Sequence, residues 1–138
     1  ILSAGIPVMG HLGLTPQSIY KFGTYQVRAK EEEEADRLRS DAKLLNDCGC
    51  FAIVLEKIPA KLAAEVTTSI EVPTIGIGAG GDCDGQVLVV HDMLGITQDF
   101  SPRFLRRYMH AGEQMHNAVQ QFVADVKSRD FPNNTEQY

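Results

Sequence analysis

Five consecutive apolar residues, Phe51-Ala52-Ile53-Val54-Leu55, stand between a helical pattern stopped by Gly49 and another opened by Pro59. An uninterrupted run of this length suits a strand covered on both faces, and such strands belong to parallel sheets. The helical pattern upstream, Glu31 to Asn46, repeats Ala35, Leu38, Ala42 and Leu45 at intervals of three and four. Its first turn is acidic, which complements the helix dipole, so the run Glu31 to Glu34 reads as a solvated helix start rather than a metal cluster. Downstream, Leu62, Ala63 and Val66 mark one side of the helix that Pro59 begins.

The same alternation extends in both directions. Ile6-Pro7-Val8-Met9-Gly10 is a short apolar run ending at His11, with Pro7 tolerable at a strand start. A turn-rich loop follows, from Gly13 through Thr15-Pro16 to Gly23-Thr24. Pro73 to Gly78 and Gln86 to Val90 read as two further strands, and Ser101-Pro102 as an N-cap and first residue of a helix. The last helix, Gly112 to Ser128, carries Met115, Val119, Phe122 and Val126 as its expected buried stripe, and the polar tail from Asp130 lies on the surface. Buried strands alternating with amphipathic helices imply a parallel sheet with right-handed crossovers. Four such units amount to half of a barrel of ~250 residues, with a doubly wound sheet as the competing architecture.

Composition narrows the function. The 138 residues suffice for one domain with a core, and a net charge of −5 argues against nucleic acid, whose phosphates call for clustered Lys and Arg. Arg103 to Arg107 is a short basic cluster, read as a solvated helix face. No apolar run is long enough to span a bilayer and no signal peptide is visible. Cys48, Cys50 and Cys83 fit neither a CxxC pair nor a disulfide framework, and read as small thiols in a reducing cytoplasm. The opening Ile1-Leu2-Ser3-Ala4-Gly5 resembles a helix end running into a loop, so a piece of a longer chain is expected.

In either parallel architecture, chemistry collects at the carboxyl ends of the strands. Two expected strands end on a titratable residue, His11 and Glu56. A carboxylate capping an apolar strand loses hydration, which fits it to act as a base. The plainer reading of Glu56, an ion pair with adjacent Lys57, has equal weight. His11 could donate to a substrate carboxylate or carbonyl, although a lone histidine is more often structural. His91 is read as a cap or bridge, while His110 and His116, six apart, are expected to be exposed. Gly76, Gly78 and Gly81 formally match a dinucleotide fingerprint, but Asp82-Cys83-Asp84-Gly85-Gln86 and a strand follow where a helix is required. The glycines are read instead as permitting close backbone approach. Asp82, Asp84 and Asp92 are turn formers rather than metal ligands.

Four stretches together resemble the ketopantoate hydroxymethyltransferases. They are Gly10-His11-Leu12-Gly13-Leu14-Thr15-Pro16-Gln17-Ser18, Val54-Leu55-Glu56-Lys57-Ile58-Pro59, Ile75-Gly76-Ile77-Gly78-Ala79-Gly80 and Asp84-Gly85-Gln86, in the family's order. The resemblance covers essentially the whole chain and corresponds to the C-terminal half of the family's sequence. It implies a (β/α)₈ TIM barrel of the phosphoenolpyruvate/pyruvate superfamily, with only the last four or so βα units present in 1–129 and a polar tail in 130–138. It implies transfer of a hydroxymethyl group from 5,10-methylenetetrahydrofolate to 3-methyl-2-oxobutanoate, giving 2-dehydropantoate in pantothenate biosynthesis. Mg²⁺ would chelate the oxo acid, Glu56 matches the base that takes the C3 proton, and His11 matches a histidine of the substrate pocket.

The same resemblance implies a cytoplasmic homo-oligomer, usually a decamer, with no membrane or nucleic-acid partner. Its metal ligands, and its Ser and Lys substrate contacts, are expected in the missing N-terminal half, so the chain alone is expected to be inactive. Phe22 to Lys30 departs from the family's usual string in that loop. The alternatives are a related barrel lyase or mutase acting on another 2-oxo acid, and a non-catalytic half-barrel that serves as an assembly module.

Overall fold

The structure is a computed structural model that describes residues 1–15 and 26–138. The chain divides into two compact units, Ile1–Val87 and Leu88–Tyr138.

In the first unit a short 3₁₀ turn, Leu2–Ala4, precedes β1 (Met9–Gly13), α1 (Glu32–Asp47), β2 (Ala52–Glu56), α2 (Ala60–Ser69), β3 (Thr74–Ile77) and β4 (Gly85–Gln86). The strands form one parallel sheet in the order β1-β2-β3-β4, so neighbours in sequence are neighbours in the sheet. A parallel α/β fold is thus observed. β1 begins later than its apolar run suggests and continues beyond His11 to Gly13. Pro7 has no N–H to give a ladder, and pairing starts where the Phe51 N–H donates to the Val8 carbonyl at 3.0 Å. His11 is therefore mid-strand, registered against Val54, and Gly13 is registered against Glu56.

Alternation along the strands separates two faces. Ile53 and Leu55 of β2 and Thr74 of β3 are fully buried on the face that carries α1 and α2, and they pack with Leu38, Ala42, Leu62, Ala63 and Val66. The other face presents Met9, His11, Val54, Glu56, Ile75 and Ile77, all partly or largely exposed. Burial of β2 on both faces, expected from its unbroken apolar run, is not found, because both long helices of this unit lie on the same side. Phe51 lies outside the strand and is exposed. Thr74, the one buried polar residue in the described core, is satisfied by Thr67 and by the Asp84 carboxylate, which its backbone N–H and hydroxyl both approach. Asp84 thereby ties the start of β3 to the start of β4, in keeping with the turn-forming role read for it.

The two helices are joined by Arg39 of α1, which bonds Glu65 of α2 as well as Glu32 and Asp36 of its own helix. The hydrogen bond to Glu32, then that to Glu65, raises its pKa above the ordinary arginine value. The acidic run does start a helix, with Glu32, Glu33 and Glu34 in the first turn, yet Glu34 is not merely solvated. Its carboxylate accepts from the Arg28 guanidinium and, at 2.7 Å, from the Ala29 N–H.

The strand expected over Gln86 to Val90 shortens to β4, two residues long. Val87, Val89 and Val90 are about half exposed, so nothing among the described residues covers a longer strand there. In the second unit, Val90–Met93 is a single helical turn, α3, and Ala111–Ser128 is α4. The helix expected at Ser101-Pro102 does not form. Only one turn-like bond, from the Leu105 N–H to the Pro102 carbonyl, is made, and the Arg107 guanidinium donates to the carbonyls of Thr97, Gln98 and Phe100. The basic cluster is thus irregular backbone rather than a helix face. α4 has the expected stripe but it is not buried: Met115, Val119, Phe122 and Val126 are all exposed, and only Ala111 of this helix is buried. The tail is exposed, with Phe131 set edge-on to Phe122 at 5.5 Å.

Candidate active site

β1 and β2 bring His11 and Glu56 together from positions 45 apart in sequence, with Nε2 of the imidazole 3.0 Å from Oε2 of the carboxylate. Register explains the meeting. His11 and Gly13 lie on the same face as Val54 and Glu56, and the residue directly opposite Glu56 is a glycine. With no side chain at Gly13, the imidazole can lean along the strand direction to the carboxylate. An ionised carboxylate only accepts, so the shared proton is on Nε2 and the histidine donates. Both side chains remain partly open, 33% and 23% exposed respectively. The Glu56 carboxylate thus bonds the His11 ring across the two strands. Lys57 has a left-handed backbone with φ 53°, its N–H donates to the Ile77 carbonyl, and its carbonyl accepts from the Arg28 N–H.

Gly13 has φ 92°, and a Cβ there would stand 2.1 Å from the Glu56 carbonyl oxygen. This close crossing lets the Leu14 N–H donate to that same carbonyl at 2.9 Å, while Leu14 itself is buried. The backbone of Glu56 is therefore clamped by the chain leaving β1. Residues 26–30 are tied over the same end, by the Arg28–Lys57 backbone bond and by Glu34, which also satisfies the N–H of Ala29 at φ 52°. A cleft of about 490 Å³ opens between His11 and α1, lined by His11, Thr15, Arg28, Glu33, Arg37 and Asp41 among others and not by Glu56. His11 borders this cleft on one side and holds Glu56 on the other. The Pro16-Gln17-Ser18 end of the HLGLTPQS string and the part of the variant loop from Phe22 to Tyr25 lie outside the described residues.

The other three histidines belong to the second unit. His91 lies in α3, where its carbonyl, not its ring, accepts from Ile96 and Thr97. His110, at the N-cap of α4, and His116 are exposed, as their spacing suggested. The glycine loop after β3 leads to β4 with no helix between, so the dinucleotide reading fails on the ground expected. Its glycines serve close approach: a Cβ on Gly80 would stand 2.4 Å from that of Ala60, at the start of α2, and one on Gly76 would press on Cys83 and Gln86. The three cysteines are free, Cys50 buried and Cys48 exposed. Sequence reasoning missed the Gly13–Leu14 clamp and the Arg28–Glu34 anchor. A glycine breaking an apolar segment next to a candidate histidine was the available signal for the first.

The fold is a parallel α/β sheet in which a carboxylate at the end of one strand meets an imidazole from the next, at the sheet end where proteins of this class collect their functional groups. Comparison with known proteins makes this specific. Residues 1–134 match the family model described as ketopantoate hydroxymethyltransferase. The chain is 69% identical over its full length to the 3-methyl-2-oxobutanoate hydroxymethyltransferase of Flavobacterium johnsoniae and 70% identical to that of Christiangramia forsetii, covering 51% of each. It is 64% identical to the protein of the same name from Salinibacter ruber, covering 52%. The chain belongs to the ketopantoate hydroxymethyltransferase family, an enzyme family. It spans about half the length of the curated relatives it matches. These matches establish the half-length coverage and give no support to its assignment as a C-terminal half.

Proposed function

We propose that this chain is part of an enzyme of pantothenate biosynthesis that transfers a hydroxymethyl group from 5,10-methylenetetrahydrofolate to 3-methyl-2-oxobutanoate, giving 2-dehydropantoate. The observation that carries the reading is the partly open His11–Glu56 pair, with Glu56 at the carboxyl end of β2, on the sheet face opposite α1 and α2. In this role Glu56 is the base. Its carboxylate takes the proton from C3 of the oxo acid, the C–H electron pair enters the C2–C3 bond, and the carbonyl electrons move to oxygen. The enolate carbon then attacks the folate-borne methylene as one of its C–N bonds breaks with its electron pair going to nitrogen, and water supplies the hydroxyl as the second C–N bond breaks and tetrahydrofolate leaves. His11 stands in the wall of the substrate pocket. Val54 and Ile77, on the same face, give the branched alkyl group of the substrate an apolar floor.

The Mg²⁺ implied by the resemblance does not fit the residues described here: no three His, Cys, Asp or Glu side chains converge among them. Its ligands are proposed to lie in polypeptide outside this chain. A (β/α)₈ barrel, with 1–129 supplying about four units and 130–138 a polar tail, is the architecture proposed for the whole. The sequential all-parallel order supports it, with the face opposite α1 and α2 as barrel interior. The exposed stripe of α4 is also what a half-structure would leave uncovered. A cytoplasmic homo-oligomer without nucleic-acid or membrane partners completes the proposal. No helix among the described residues is long and apolar enough to cross a membrane.

One assay tests the reading. The full-length enzyme containing this chain, given Mg²⁺, 3-methyl-2-oxobutanoate and 5,10-methylenetetrahydrofolate, forms 2-dehydropantoate, while the purified 138-residue chain forms none. Turnover of a different 2-oxo acid without folate would replace the transferase with the lyase or mutase alternative. Turnover by the isolated chain would refute the division of the site between two stretches of polypeptide.

A further inference from the structure

We infer that His11 is a positioning residue for Glu56, fixing one carboxylate oxygen so that the other, Oε1, is the atom that receives the proton. The inference rests on Glu56 being the base. Its warrant is an asymmetry in the pair: Oε2 accepts the 3.0 Å bond from the imidazole, and Oε1 has no hydrogen-bond partner among the described residues. An oxygen that already accepts a charge-assisted hydrogen bond is less basic, and the bond also fixes the plane of the carboxylate. The Nε2 proton, spent on Glu56, is then unavailable to a substrate carbonyl. This assigns His11 a different task from direct substrate contact.

The geometry that makes this possible is built into β1. Gly13 is the register partner of Glu56, and its missing side chain leaves room for the imidazole from two residues earlier. The Leu14 N–H holds the Glu56 carbonyl, so main chain and carboxylate are each fixed by residues from the same short segment. In the reaction the C3–H bond breaks, the proton passes to Oε1, and the electron pair enters the C2–C3 bond as the carbonyl pair moves to oxygen. Glu56 leaves the step neutral, and His11 keeps its own proton throughout.

Exchange of the C3 proton of 3-methyl-2-oxobutanoate for deuterium, followed by NMR in the full-length enzyme with Mg²⁺ and no folate, isolates this step. Misplacing a reacting group by about an ångström costs about 10²-fold. His11→Ala and His11→Leu, which lack the donor, are expected to lower the maximal exchange rate roughly 10- to 100-fold with little change in the oxo-acid concentration at half rate. His11→Gln, whose amide can donate from nearly the same place as Nε2, is expected to recover most of the rate. Should the Ala variant fail to fold, the Leu and Gln variants carry the comparison. Equal rates in Leu, Gln and wild type would overturn the inference, and so would a raised half-rate concentration with unchanged maximal exchange, which marks direct substrate binding. Failure of the base assignment itself shows differently, as full exchange by Glu56→Gln whatever stands at position 11.

Discussion

Glu56→Gln in the full-length enzyme is expected to abolish nearly all exchange of the substrate's C3 proton, by about 10²–10⁴-fold, the usual contribution of a positioned general base. The substitution is close to isosteric, and the amide oxygen can still accept from His11, so the sheet and the pair's spacing survive. What disappears is basicity. Thermal unfolding should therefore change little while exchange collapses, and the two measurements together separate a chemical loss from a structural one. Exchange within a few-fold of wild type would remove Glu56 from the chemistry and leave the pair as a strand-end hydrogen bond. Glu56→Asp, which retains the charge but withdraws it by one methylene, should fall between, because proton transfer depends on reach as well as on basicity.

The second large effect concerns backbone. Gly13→Ala places a Cβ where the Glu56 carbonyl oxygen lies 2.1 Å away, at φ 92°. The left-handed conformation alone costs an L-residue about 1–2 kcal/mol. The overlap is with main chain rather than with a flexible side chain, so β1 and β2 must separate at this end, and loss of the Leu14–Glu56 bond adds about 1 kcal/mol. A total loss of about 2–4 kcal/mol is expected, a fall in Tm of roughly 5–15 °C in a protein of this size class. Because the displaced atom belongs to Glu56, activity should fall further than stability explains. Gly81→Ala is the control: a Cβ there meets nothing within 4 Å, and its Tm should stay close to wild type. Equal melting of the two variants would show that the crossing of β1 over Glu56 is not a constraint in solution.

The elements whose sequence pattern matched their packing were legible in advance. α1 and α2 bury Ala35, Leu38 and Ala42, and Leu62, Ala63 and Val66, the residues their periodicity selects. β2 and β3 follow their apolar runs to within a residue or two. Errors gathered where a pattern needs a covering surface that the chain does not supply. Gln86 to Val90 has strand composition but is half exposed, and only two residues pair. The stripe on α4 is periodic but uncovered, because periodicity says which face is apolar and not what lies against it. Ser101-Pro102 has the residues of a helix start, yet Arg107 engages three carbonyls of the preceding loop and the backbone stays irregular.

At the site, Glu56 and His11 could be named from strand ends and from resemblance, but their direct bond could not. It depends on register, and the run Ile6 to Gly10 placed β1 about three residues too early. With the observed register, His11 moves from the strand terminus to two residues before it, which is where an imidazole can reach a carboxylate on the next strand. The ion pair with Lys57, given equal weight from adjacency, is a reading along the chain, whereas the bond to His11 runs across the sheet.

The base assignment is tested most directly by a crystal structure of the full-length enzyme with 3-methyl-2-oxobutanoate and Mg²⁺ bound. The account requires the Glu56 carboxylate to face the substrate, with Oε1 roughly 3–3.5 Å from C3, the separation of a near-attack arrangement, and Oε2 still held by His11. A carboxylate turned from C3, with another basic side chain at that distance, would contradict it.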